Sequence, residues 1–490
     1  MSKAVKFFVL TISLIGALFA GSLFPFFSSA QAPVATTSQT ARNAALVAAT
    51  ADVLKETSEL RQLSILRRVQ SSAQSRTEIE RMIMKSLDEE STPAQMHAAE
   101  ATLKKLGLAP RDFQYRALLV RLLTEQVAGY YDPKTGEFHL ADWIDLDGQR
   151  PIMAHELTHA LQDQHFNLRR FEHWPKGDSD AELAAHALIE GDATLAMALY
   201  VANNPLRALL FLKSLGTAAM SSAELEKAPR AMRETLLFPY QEGTDWTRTL
   251  YKQGGWDRVS KAFTELPQST EQIMHPEKYF AHDAPVKVTL PDLAPLLNRS
   301  ASSEIRGQRS EVGGSAGSAD VPSALSAQRE QFRNAATRHG SNLLANHAQG
   351  ARPAWRRLDY DVQGEWGFYL LLDEFLKSPA ESRRAAAGWG GDRFAVYEGP
   401  KGEVLIASLS TWDTENDARE FFDAYVKRTG LRYPDANPLA DNQTLPPNTR
   451  ILSTSEGQVV IALRGGRVAA IEGLPATVNV SALLRVLAAP

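Results

Sequence analysis

The sequence predicts an α+β protein: a mainly helical region with an edge β-hairpin, followed by a smaller C-terminal α+β domain. Three observations predict it. Apolar residues recur at helical spacing up to about residue 128 and again from Pro151 onward. The turn signal Asp132-Pro133-Lys134-Thr135-Gly136 lies between Tyr130-Tyr131 and the strand-like Glu137 to Trp143. After Trp355, hairpin and helix signals return together.

Residues 1–32 read as an export signal. Lys3 and Lys6 give it a positive start, and Phe7 to Ala20 is apolar apart from Thr11 and Ser13. Ser28-Ser29-Ala30-Gln31-Ala32 then supplies a small-x-small cleavage site, placing the cut after Ala32. Leu23 to Phe27 extends the apolar stretch toward the length of a membrane span, so an uncleaved anchor is the competing reading. The expected location is the periplasm or the exterior, with membrane attachment only through this segment.

Residues 33–128 form a helical N-terminal region after a short polar start. Within it, LKETSELRQLSILRRVQ carries leucine, isoleucine and valine at helical spacing. Thr92-Pro93 is a cap followed by a first-turn proline, Gly107 is a stop, and Phe113 to Val127 is a further amphipathic helix. Residues 129–298 contain the hairpin, a helix opened by Pro151, a second helix from Ala181 to Tyr200, and a third helical group from Pro205 to Leu236. Residues 299–350 begin with RSASSEIRGQRSEVGGSAGSADVPSAL, too poor in large apolar residues to bury a core, and read as a linker. Residues 351–490 form the small α+β domain: a hairpin around Gly399-Pro400-Lys401-Gly402, a helix ending at Gly430, and paired strands from Ile451 to Gly473.

Composition narrows the function. With 490 residues, 44% hydrophobic and 22% charged, the chain can bury a sizeable core. A net charge of -4 and the lack of a basic run exclude nucleic acid and anionic membrane surfaces as partners. No feature specifies an oligomeric state. The absence of cysteine excludes disulfides, a thiol nucleophile and a lipid-modified start, so any metal must be held by His, Asp and Glu.

PIMAHELTHALQDQHF, beginning at Pro151, carries that ligand set. His155 and His159 are four residues apart, one helical turn, and can present both imidazoles to one ion. Glu156 lies beside them, within reach of a water on that ion without being a ligand. Met153, Ala154, Leu157, Ala160 and Leu161 are uncharged, as a helix at the floor of a cleft requires.

HELTHALQDQ resembles the active-site helix of the zincin metallopeptidases. The metzincin continuation is absent, since His165 follows too soon and Gly177 is wrongly spaced. The resemblance therefore implies a gluzincin-like arrangement, in which a downstream helix supplies a glutamate. Glu190, in LIEGDA, lies 31 residues beyond His159 among apolar neighbours where an unpaired carboxylate is costly, and Gly191 permits close helix approach. His186 is the rival third ligand and Glu182 a weaker one. Where thermolysin-like members place an orienting aspartate four residues after the ligand glutamate, this chain has Thr194, leaving Asp192 or Asp163 for that role.

In zincins an edge strand pairs with extended substrate, and Glu137 to Trp143 is the candidate. His275, Tyr240 and Tyr279 are the candidate oxyanion donors, His275 first among them. His139, His165 and His173 are read as non-ligands, and no Gly-x-Ser-x-Gly elbow competes. The expectation is an exported peptidase with a zincin-like fold acting on peptide or protein. It would hold one Zn2+ on His155, His159 and Glu190, with Glu156 as general base and His275 steadying the oxyanion. The alternative is a catalytically inactive zincin-fold scaffold or binding protein of the envelope.

Overall fold

The structure, a computed structural model, describes residues 39–143, 146–172, 174–209, 223–300, 354–439 and 445–488. The export signal, His173 and nearly all of the expected linker lie outside the described residues. Among the described residues, no helix is long and apolar enough to cross a membrane.

The first helix, α1 (Gln39–Arg61), is shorter than its sequence pattern suggests. The chain turns at Gln62, which takes a left-handed φ of 59°, and the hydroxyl of Ser58 donates to the Leu63 carbonyl. Gln70–Gln74 then forms strand β1 instead of more helix. Helix α2 (Arg76–Glu90) follows a Ser75 capping box and buries Ile79, Ile83 and Leu87, a single i, i+4, i+8 stripe. As predicted, Thr92 caps α3 (Pro93–Lys105), and Gly107 closes it at a left-handed φ of 73°. Helix α4 (Tyr115–Gln126) completes the N-terminal set.

Strands β2 (Gly129–Asp132) and β3 (Glu137–Ala141) form the predicted hairpin. β3 is not an edge, however. β1 pairs with it in parallel from Gln70↔Glu137 to Gln74↔Ala141, so the order is β1-β3-β2. The expected substrate-pairing strand is the centre of a three-stranded sheet because a segment that reads as helical adds itself there.

Helix α5 (Leu146–Phe166) carries the His-Glu-x-x-His stretch and starts before Pro151, which lies inside it. One face, through Met153, Ala154, Leu157, Ala160 and Leu161, packs into a cluster with Leu46, Val53 and Leu54 of α1 and with β2 and β3. Helix α6 (Ser179–Ala202) is buried nearly all round, and helix α7 (Arg230–Ala262) lies against it. Gly191 of α6 and Gly243 of α7 meet backbone to backbone, and a Cβ on either would run into the other helix. Gly191 thus has the role the sequence predicts for it.

The C-terminal part is a seven-stranded antiparallel sheet: β4 (Arg356–Asp361), β5 (Trp389–Glu398), β6 (Val404–Trp412), β7 (Asn437–Pro438), β8 (Thr449–Thr454), β9 (Gly457–Arg464) and β10 (Arg467–Leu474). Their order is β4-β5-β6-β10-β9-β8-β7. Alternation divides it: Phe394 and Val396 face the core shared with α2 to α4, α6 and α7, while Ala395 and Tyr397 face a second core. Helices α8 (Gly364–Leu376) and α9 (Pro379–Ala386) follow β4, and α10 (Glu415–Arg432) follows β6; α11 (Val480–Leu487) packs on the opposite face. The fold is α+β, as predicted. The predicted C-terminal helix runs past Gly430 to Arg432.

This sheet is docked on the start of α6. The Ser179 amide donates to Asp361 of β4 at 2.8 Å. Asp180 accepts from the Thr270 amide at 3.0 Å and its hydroxyl at 2.5 Å, and that hydroxyl accepts in turn from the Trp366 amide of α8 at 3.3 Å. The helix that carries Glu190 is therefore held at its first turn by the C-terminal domain.

Candidate metal centre

The crossing of α5 and α6 brings Glu190 onto the His155 and His159 pair, from which it is distant in sequence. His155 Nε2 lies 3.0 Å from Glu190 Oε2 and 3.1 Å from His159 Nε2, and His159 Nε2 is 3.4 Å from the same Glu190 oxygen. All three are fully buried. A tetrahedral ion with bonds of ~2.0–2.1 Å has ligand–ligand edges of about 3.3–3.4 Å, close to this triangle. Three electron-rich atoms at these distances need positive charge among them. Glu190 Oε1 and His155 Nδ1 are also buried with no partner among the described residues, so the carboxylate keeps an oxygen that a cation can use. This group can hold a metal ion.

Electrostatics agree. Burial pushes the His155 imidazole down; it also opposes protonation of His159, but the Glu190 carboxylate overcomes that and holds His159 up at about 9. Burial would raise Glu190, and the His159 imidazole holds it below the ordinary carboxylate range.

Glu156, also fully buried, is positioned by a strand: the Tyr131 amide of β2 donates to its Oε2 at 3.0 Å. That bond turns one oxygen of the carboxylate toward the hairpin. Tyr131 is itself anchored, its hydroxyl donating to Asp163 at 2.9 Å, while Arg67 pairs with the same carboxylate.

The orienting residue of His159 is one the sequence reading missed. Its Nδ1–H donates to Gln162 Oε1 at 2.9 Å. Gln162 Nε2 in turn donates to the Ile189 carbonyl at 3.0 Å and to Asp192 Oδ2 at 2.9 Å. Asp192 forms a fully buried two-point pair with Arg61, the last residue of α1, at 2.5 and 3.1 Å. Neither aspartate proposed for that role touches an imidazole here: Asp192 acts through Gln162, and Asp163 is committed to Tyr131, Arg67 and the Leu168 amide. The i+3 spacing of His159 and Gln162 is the signal that could have found it.

The other candidates fall as follows. His186 and Glu182 are buried on α6 but outside the converging group. His275 is engaged by the C-terminal domain, its Nε2 2.9 Å from Glu365 on α8. Tyr279 donates to the Glu265 carbonyl at 2.8 Å. Tyr240 of α7 is the donor candidate brought to the site, its ring stacked on His155 with centroids 6.1 Å apart. His139 bonds Ser72 and Gln74 within the small sheet, and His165 bonds the Ser64 carbonyl, both away from the triad as expected.

The family described as Domain of unknown function (DUF8575) matches residues 352–484, which is the seven-stranded domain and not the α5–α6 crossing. No curated protein and no solved structure matches the chain.

Proposed function

We propose that the protein is an exported zinc-dependent peptidase of zincin type, gluzincin-like, acting on peptide or protein substrates. The observation that carries this is the meeting of His155, His159 and Glu190, with the Glu156 carboxylate next in sequence and one of its oxygens bonded by the Tyr131 amide. A divalent zinc ion in that group would polarise a substrate carbonyl and make a water acidic near pH ~7. Glu156 would be the base for a water there, accepting its proton and returning it to the leaving amine. Tyr131 fixes that base by occupying one of its oxygens. Tyr240, stacked on His155, takes the oxyanion-donor role first expected of His275, which Glu365 engages.

The test is zinc content and hydrolysis of an unfolded protein such as casein, for wild type and Glu156→Gln. Both should bind zinc, and the variant should lose ~10²–10⁴-fold in rate, the usual contribution of a positioned base. A second reading has its own observation: His155, Glu156, His159 and Glu190 all have no solvent exposure. That burial favours a scaffold that holds zinc without turnover. Zinc bound by both forms with no hydrolysis by either would decide for it.

A further inference from the structure

A cavity of ≈ 340 Å³ lies between the second face of the seven-stranded sheet and α11, within the size range of small-molecule sites. Side-chain size creates it. Leu409 of β6, Ala469 of β10 and Ala462 of β9 are register partners in one row across three strands, and all three pack in the second core. Two alanines in that row leave the sheet low where α11 covers it. Ser481, Leu484, Arg485 and Ala488, spaced i, i+3, i+4 and i+7, line the hollow from the helix side.

The polar side chains among the described lining residues are three cations and a hydroxyl: Arg464, Arg467, Arg485 and Ser481. No acid lines it among the described residues. The lining leucines are buried and all three arginines are exposed, so the interior is apolar and the mouth is positive. Arg464 and Arg467 stand directly opposite each other across the β9–β10 turn, two residues beyond Ala462 and two before Ala469. Alternation therefore puts both on the cavity's face of the sheet. Like charges in that position repel. Neither they nor Arg485 have an acidic partner among the described residues; Glu415 approaches the turn at Gly465 but pairs with none of them.

We propose that this cavity binds a free fatty acid, its chain against the leucines and alanines and its carboxylate among Arg464, Arg467 and Arg485. A guanidinium fork matches a carboxylate, and an anion at the mouth offsets the repulsion of the cross-strand pair. The shape favours a monomer over a membrane surface: the large apolar lining residues are recessed and leave no exposed apolar rim to enter a bilayer. The assignment does not rest on the metal reading.

Decanoate and 1-decanol test it on the full chain by titration calorimetry, because they share a chain and only the acid carries a charge. Decanoate should bind roughly ten-fold tighter, the lower end for a hydrogen bond between charged groups. Acetate, a head without a chain, should give no measurable binding. Arg464→Gln with Arg467→Gln should bring the two longer probes level and, both residues being exposed, should fold as wild type. A decanoate held at the metal centre would ignore that change. Ala469→Leu should exclude both probes by filling the hollow, and the arginine comparison stands if that variant does not fold. Four results would overturn the proposal: equal binding of decanoate and 1-decanol to wild type, no binding of decanoate, a preference for decanoate undiminished in the double arginine variant, or sedimentation with phosphatidylglycerol vesicles that the double variant abolishes.

Discussion

Two of the buried charge clusters differ in how their donors and acceptors balance. At the joint between α10, β10 and α3, Glu472 accepts from Arg428 and Tyr425 on one oxygen and from Arg432 on the other. Arg428 also donates to the Leu106 carbonyl, and Lys105 to the Glu456 carbonyl at 2.9 Å. Only the Arg428 Nε–H is left over. At the α5–α6 crossing, by contrast, two imidazole nitrogens face each other and a carboxylate oxygen has no partner among the described residues. Burial of charge is common to both. Buried acceptors left unanswered are what mark the second as a group that could hold a metal ion, and near-complete pairing marks the first as a fastening between domains.

The same substitution at the two carboxylates should separate them most widely. Glu472→Gln leaves two arginines in the interior that cannot shed their charge, and should cost about 3–5 kcal/mol in denaturant unfolding. Glu190→Gln should cost the metal-free protein less than this, because His159 can give up its proton when the carboxylate is gone. Zinc affinity, measured by chelator competition, should move the other way: at least ~100-fold weaker for Glu190→Gln and unchanged for Glu472→Gln. Equal losses of stability would break the distinction.

Acid sharpens it with a smaller effect. Burial would raise the Glu472 carboxyl, but Arg428 and Arg432 overcome that and hold it below the ordinary range. A depressed carboxyl adds stability above its unfolded value of ~4.3, and that stability is lost as pH falls through the lower folded value. The gap between wild type and Glu472→Gln should therefore be constant near neutrality and narrow below about pH 4 in acid-unfolding curves.

The sequence discloses the two clusters unequally, for physical reasons. His155, His159 and Glu156 are legible because a helical turn is local, and Glu190 because a lone carboxylate in LIEGDA is expensive unless something answers it. The class α+β, the hairpin and the Thr92 cap are legible on the same local grounds. Partners fixed by packing are not. Arg61 reads as an exposed helical charge until α1 is set against α6, and Gln70–Gln74 reads as helix until β3 offers it an edge. Nothing local marks Tyr131 as the residue whose amide holds Glu156. Arg428 and Glu472 carry no motif at all; their meaning lies wholly in a contact between distant segments.

Gln162 allows the finest test, because it links the site to its buried arginine without being a ligand. Both hydrogens of its amide nitrogen are given away, to Ile189 and to Asp192, so the amide oxygen must face His159. That oxygen requires a hydrogen on His159 Nδ1 and thereby directs the lone pair of Nε2 toward His155 and Glu190. Gln162→Leu keeps the approximate volume and removes the instruction. It should weaken zinc binding by ~10–100-fold and cost the metal-free protein about 1–3 kcal/mol for the groups left unpaired. Nitrogen-15 spectra of the metal-free variant, taken above pH about 9 where His159 is neutral, should show His159 no longer confined to one tautomer. Wild-type affinity in this variant would mean that the Arg61–Asp192–Gln162 chain only joins helices, and that packing of α5 against α6 alone orients the imidazole.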